Sequence, residues 1–190
     1  MEKRIMTNKV DLSTFNTGNF DKGASIVRIT LWYFVNAFFV RASWNPFMSI
    51  KIFLLRLFGA KIGHGMIIKN NVTIKSPWFL TAGENVWLGE NCWIDNLDRV
   101  SIGNNVCISQ GALILTGNHD YTDSHFSYKN APITIHDGAW LGAKSVVCAG
   151  VEVGENAVLT VGSIATHSLS ANTIYQGNPA REIRKRTIKQ

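Results

Sequence analysis

APITIHDGAWLGAKSVVCAGVEVGENAVLTVGSIAT, residues 131–166, sets an aliphatic side chain at every sixth position: Ile135, Leu141, Val147, Val153 and Leu159. Four residues after each stands a second inward candidate, usually small: Ala139, Ser145, Val151, Ala157 and Ser163. A helix repeats every 3.6 residues and a strand every two, so this beat fits neither. It fits hexapeptides wound into a parallel β-helix, three to a triangular coil of about 18 residues. A β-sandwich with Gly-rich turns has no reason to hold such a phase over consecutive hexads.

The same beat runs outward through Ile62, Ile68 and Ile74, through Leu88 and Ile94, and through Ile102, Ile108 and Ile114. Gly63, Gly89, Gly103, Asn104, Asn105, Gly142, Gly154 and Asn156 stand at the corners, where positive φ is tolerated. The hexads predict about five coils between Ile62 and Ala165. The phase slips between Ile74 and Leu88 and between Ile94 and Ile102 read as loops or bulged corners. Trp78 and Asp98 occupy positions where the pattern calls for a small residue.

The length of 190 residues suits one domain with an extension. Cys92, Cys107 and Cys148 lack CxxC spacing and read as apolar fillers in a reducing compartment, with no metal cluster expected. The net charge is +6. No nucleic-acid motif accompanies it, so nucleic acid is not the expected partner. Basic residues gather at the end, in Arg181, Arg184, Lys185, Arg186 and Lys189.

Three segments follow. Residues 1–60 form a polar arm and an apolar extension; the arm lacks the apolar region of a cleavable signal peptide. Residues 24–60 predict two helices joined at Asn45-Pro46, with Lys51 and Arg56 on the polar side of the second. They admit three readings: a cap on the first coil or subunit packing, a peripheral membrane contact with Arg28, Arg41, Lys51 and Arg56 at the headgroups, or a span, for which Ala24 to Val40 is short. Residues 61–165 are the solenoid, with an excursion at 115–134. Residues 166–190 leave the beat and predict a tail packed along the prism that ends in a basic helix.

The excursion, LTGNHDYTDSHFSYKNAPIT (115–134), holds His119 and His125. Loops on a rigid scaffold commonly carry function. His119 follows directly from the rung of Ile114, so its base is firmly held. An imidazole suits removal of a proton from a hydroxyl or an amine. His64, His136 and His167 fall at corners or near the end of the repeats and read as surface or ligand-edge residues.

LLRLFGAKIG (54–63), GENCWIDNLDRVSIGNNVCISQGALILTGNHDYTD (89–123), the opening stretch and YQGNPAREIRKR (175–186) together carry a resemblance. The chain resembles the left-handed β-helix acyltransferases of the galactoside, maltose and nodulation O-acetyltransferase type, above all the colanic-acid biosynthesis acetyltransferases. That resemblance implies the left hand of the helix, acetyl-CoA as co-substrate and a sugar or glycan acceptor in exopolysaccharide or surface-glycan biosynthesis. It also implies a cytoplasmic homotrimer with sites between subunits, placed at the inner face of the membrane if the extension binds lipid. Residue by residue, it makes His119 the general base. Trp140, Gly142, Ala143, Gly162 and Ser163 become cofactor-binding residues, with the Ala143 N–H near the thioester carbonyl. Arg181 and Arg184 are expected near the CoA phosphates. Many relatives have Thr-Lys where this chain has Thr166-His167.

Asp95, Asn96, Asn118 and Tyr121 are candidate acceptor contacts, and Asp95, Asn96 and Asp98 are also placed to orient His119. Three alternatives stay open: an N-acetyltransferase on an amino-sugar nucleotide, a γ-type carbonic anhydrase-like zinc enzyme using His119, His125 and His136, and a non-catalytic scaffold.

Overall fold

A computed structural model describes residues 9–18 and 20–189; the part of the signal-peptide reading that concerns residues 1–8 lies outside them. Short parallel strands wind into a three-sided prism. Face A stacks Lys61–Ile62, Leu80–Ala82, Val100–Ile102, Ile133–Ile135 and Glu152–Val153. Face B stacks Ile67–Ile68, Trp87–Leu88, Cys107–Ile108, Trp140–Leu141, Val158–Leu159 and Thr173–Gly177. Face C stacks Thr73–Ile74, Trp93–Asp95, Leu113–Leu115, Val146–Val147 and Ile164–Ala165. This gives five full coils.

Each predicted aliphatic residue lies directly above its counterpart. On face B, Ile68 pairs with Leu88, Leu88 with Ile108, Ile108 with Leu141, and Leu141 with Leu159. These residues and their equivalents on face C are buried along the axis. Ala139, Ser145, Val151, Ala157 and Ser163 are buried too, as the tight flank of each hexad requires.

The slips have a common cause. Ala82 is the face A rung of the second coil and is in register with Ile62 and Ile102. Eight residues separate Ile74 from Ala82 and Ile94 from Ile102, and twenty-one separate Ile114 from Ile135. Every insertion therefore falls at the corner where face C turns into face A. The first holds a 3₁₀ turn at Pro77–Phe79. Trp78 and Asp98 belong to these insertions rather than to rungs, which is why neither has to be small.

Helix α1, Ile26–Val35, continues as a π turn through Asn36–Val40, and helix α2 spans Met48–Leu57. Asn45 is buried at the break; its amide donates to the Phe39 carbonyl at 3.0 Å, and its oxygen accepts from the Phe47 N–H at 3.1 Å. The pair packs on the first coil, and the Trp32 indole donates to the Ile74 carbonyl at 2.9 Å. Lys51 departs from expectation. It is fully buried between α2 and the first coil, its ammonium 3.3 Å from the Asn70 side-chain oxygen, and desolvation lowers its pKa.

The tail corrects a second expectation. Thr173–Gly177 and Ala180–Lys185 form an antiparallel hairpin, not a basic helix. The top rung of face B has an open edge, and pairing satisfies its backbone better than a free helix would.

Leu141 and Trp140 are neighbours on opposite surfaces, 0% and 46% exposed. We expect Leu141→Ala to cost about 2–5 kcal/mol in denaturant unfolding and Trp140→Ala less than about half of that.

Candidate active site

His119 sits in the largest insertion at the C–A corner. Its ring Nδ1 lies 2.8 Å from the Phe126 carbonyl oxygen. A carbonyl only accepts, so Nδ1 carries the proton and Nε2 presents its lone pair. Phe126 stacks on the imidazole at 4.3 Å and 10°, and Tyr128 at 4.9 Å and 28°. The excursion doubles back on itself through an antiparallel bridge between His119 and Tyr128. Phe126 adopts φ 51°, a left-handed conformation rare for a bulky residue. Local hydrogen bonds hold the turn: Asp120 accepts from Thr122, and Asp123 from Ser127 and from the His125 N–H. These bonds hold both carboxyls below their usual pKa.

The arm reaches the same place. The Asp11 N–H donates to the Ser124 carbonyl at 2.9 Å, and His125 Nδ1 lies 2.9 Å from the Thr14 hydroxyl. Phe15 meets the His119 ring edge-on at 6.0 Å. Phe20 packs on Tyr128 at 4.8 Å. Phe15, Phe126 and Tyr128 escaped the sequence reading. For Phe126 and Tyr128 the one signal was aromatic enrichment beside a histidine; Phe15, in the arm, had none.

A cleft of about 470 Å³ opens beside Tyr128. Phe20 and Phe79 give it apolar walls, while Asp98, Arg99, Lys129 and Asn130 give it polar ones. Its parts come from the arm and from all three insertions of the C–A corner.

Several predicted residues do other work. Asn96 is fully buried, its side chain bonded to both the N–H and the carbonyl of Ser76, so it is unavailable to an acceptor. Asp95 pairs with Lys75 at 2.7 Å and does not orient His119. Asp98 accepts from its neighbour's N–H, that of Arg99. The Phe126 carbonyl takes the orienting role. Asn118 accepts from the His119 N–H at 2.8 Å. Tyr121 is 80% exposed, outside the aromatic group around His119.

The residues expected at CoA gather elsewhere. Trp140 points out of face B and donates to the Ser109 hydroxyl at 2.9 Å. It stands in one ladder with Val158 and Ile174. Ile174 pairs with Arg184 and Gln176 with Arg181 across the terminal hairpin, with a bulge between those pairs. Paired residues share a face, and so do residues two apart. The bulge therefore sets Arg181 and Arg184 on the outer face that carries Trp140. Neither arginine forms an ion pair among the described residues.

Ala143 follows at the B–C corner, and its N–H has no acceptor among the described residues. A Cβ on Gly142 would stand 2.6 Å from the Val161 nitrogen, so the backbone there must stay bare. Gly162 is exposed beside them. The Ser163 hydroxyl is buried and accepts from the Gly177 N–H at 3.0 Å, tying the hairpin down rather than lining a groove.

Among the described residues, no three metal-ligating side chains converge. His119, His125 and His136 engage Phe126, Thr14 and Glu152 separately.

Residues 132–166 match the family described as hexapeptide repeat of succinyl-transferase. Over 178 residues the chain is 37% identical to WcaF of Escherichia coli strain K12, covering 93% of this chain and 97% of that one; its name assigns it to colanic acid biosynthesis as an acetyltransferase. The chain belongs to the hexapeptide-repeat acetyltransferases. This acetyltransferase is also 32% identical, over 62% of its length and 63% of the other, to the galactoside O-acetyltransferase of the same strain. Its fold superposes with a TM-score of 0.79 on a hexapeptide-repeat acetyltransferase from Vibrio cholerae solved with acetyl coenzyme A; identity is 19%, and coverage is 93% and 97%.

In the acetyltransferase, the excursion should loosen as pH falls. Asp120 and Asp123 have lowered pKa values, so their turn bonds persist above the ordinary carboxylate range and are lost as pH drops through the lowered values. Nitrogen NMR of the neutral His119 ring is expected to show hydrogen on Nδ1.

Proposed function

We propose that the protein transfers an acetyl group from acetyl-CoA to a sugar hydroxyl during synthesis of an exopolysaccharide or other surface glycan. Acetyl-CoA is the acyl donor, and it supplies a thioester carbonyl open to attack. The observation that carries the reading is His119: Nδ1 is bonded to a backbone carbonyl, and Nε2 has no partner among the described residues.

Nε2 takes the hydroxyl proton as the sugar oxygen attacks the carbonyl carbon. The ring later gives that proton to the departing sulfur. The stacked Phe126 and Tyr128 rings keep the imidazole in plane while its charge changes. The free Ala143 N–H suits the carbonyl oxygen as negative charge develops, a contribution of about 3–4 kcal/mol in comparable acyl transfers. Arg181 and Arg184 offer forked donors to the CoA phosphates. The cleft beside Tyr128 suits a sugar, with aromatic surface for the ring's apolar face and Asp98 and Asn130 for its hydroxyls.

We infer a homotrimer from the division of these parts. His119 stands at the C–A corner, and Trp140, Arg181 and Arg184 on face B, the face opposite that corner. Even the B–C corner lies a full face away, about 20 Å at ~3.3 Å per residue. A threefold packing of prisms brings the C–A corner of one chain to the CoA residues of its neighbour. The free cysteines suit the cytoplasm.

His119→Ala is expected to lower acceptor-dependent thiol release from acetyl-CoA by about 10²–10⁴-fold. The acceptor panel should include sugars, amino sugars, sugar nucleotides and glycan repeat units. A response to amines alone would replace oxygen transfer with nitrogen transfer, and no response with no CoA binding would remove the enzyme reading. Arg181→Ala with Arg184→Ala should raise KM for acetyl-CoA by roughly tenfold or more with kcat nearly unchanged. Co-expressed His119→Ala and Ala143→Trp chains, each inactive alone, should recover activity in mixed oligomers; a site confined to one chain would recover none.

A further inference from the structure

The α1–α2 hairpin has an outer surface that neither the fold nor the proposed reaction uses. Trp32, Val35, Asn36 and Val40 turn toward the first coil. The opposite side of α1 and its π turn is apolar as well: Ile26, Val27, Leu31, Phe34 and Phe38 are exposed. Ile50, Phe53 and Leu57 continue that surface on α2, and Trp44 and Phe47 on the turn between them. A helix apolar on all sides is normally covered on all sides, and patches of this extent mark interaction sites.

Charge identifies what covers it. No acidic residue occurs between Asp21 and Glu84, a stretch that contains Arg28, Arg41, Lys51, Arg56, Lys61, Lys69 and Lys75. Arg28 is engaged with the Phe58 carbonyl at 2.6 Å, Lys51 is buried, and Lys75 pairs with Asp95. Arg56 donates to the Ile62 and Gly63 carbonyls, while Arg41, Lys61 and Lys69 are exposed with no carboxylate partner among the described residues. A twofold contact between copies would set these cations against each other. A sheet of anionic headgroups over acyl chains answers both features. Among the described residues no helix is long and apolar enough to cross a membrane, so the proposed contact lies in the interface.

We propose that the hairpin docks the protein on an anionic lipid bilayer, with Phe34, Phe38 and Phe53 entering the headgroup boundary. The docking stands on burial and charge alone and does not depend on the acyl-transfer reading.

The test is flotation of the full chain with vesicles of phosphatidylglycerol and phosphatidylethanolamine, against vesicles of phosphatidylcholine. Anionic vesicles should carry at least about tenfold more protein than neutral ones, and added salt should weaken binding without abolishing it. Basic residues elsewhere, such as those of the terminal hairpin, add attraction of their own, so charge-neutral variants decide. Phe34→Ser with Phe38→Ser, and separately Phe53→Ser, should each reduce flotation about tenfold. These side chains already face solvent, so circular dichroism and melting temperature should hold. Failure of the wild type to float, or equal flotation by the variants, overturns the proposal. A variant that instead changes the oligomeric state in light scattering also overturns it, by showing that the surface joins copies of the chain.

Discussion

Stacking governs this molecule. A rung two or three residues long cannot satisfy its own backbone or bury its own aliphatic side chain. Ile108 needs Leu88 below it and Leu141 above it. Stability is therefore shared between neighbours, as in other one-dimensional repeats. Two consequences follow. The ends need covers, which here are the helical hairpin on the first coil and the strand hairpin on the last. Anything that is not a rung must leave the stack at a corner. The chain sends its insertions out at one corner, C–A, in successive coils.

That corner carries His119 and the cleft beside it. Three insertions, two short and equal and the third much longer, lie one above another, and the N-terminal arm reaches them. The His119 imidazole, the proposed base, is oriented by a backbone carbonyl and three aromatic rings rather than by a carboxylate. A carbonyl fixes the tautomer as firmly as a carboxylate does without adding a charge. The positive φ of Phe126 accompanies this arrangement: the same residue supplies the carbonyl and the ring stacked on the imidazole. Asp120 and Asp123, the acids nearest in sequence, are occupied in holding the turn.

The remaining candidates lie on face B and the B–C corner. A single bulge in the terminal hairpin turns Arg184 to the same side as Arg181. Without it, strict alternation would place the two arginines on opposite surfaces. The resulting separation of base from candidate CoA residues is a property of one prism, and it makes assembly part of the catalytic proposal.

Much of this was legible in the sequence. The six-residue beat named the axial residues wherever it held its phase, because axial burial admits few side chains; Ala82, beyond the first slip, was missed. The position of His119 beyond the rung of Ile114 was legible for the same reason. The phase slips also told where loops leave, and simple counting through Ala82 places them at one corner. What the sequence alone left undecided depends on non-local partners. Asn96 looked like an acceptor contact, but Ser76, twenty residues earlier, takes both ends of its amide. Lys51 looked like a surface cation, but α2 lies with that side on the first coil. The basic tail looked helical by its charges, but the open edge of face B draws it into a strand. The six-residue period determined which residues face the axis. Tertiary structure alone decided which polar groups remain free for chemistry, because a hydrogen-bond donor or acceptor is available only when no distant segment has claimed it.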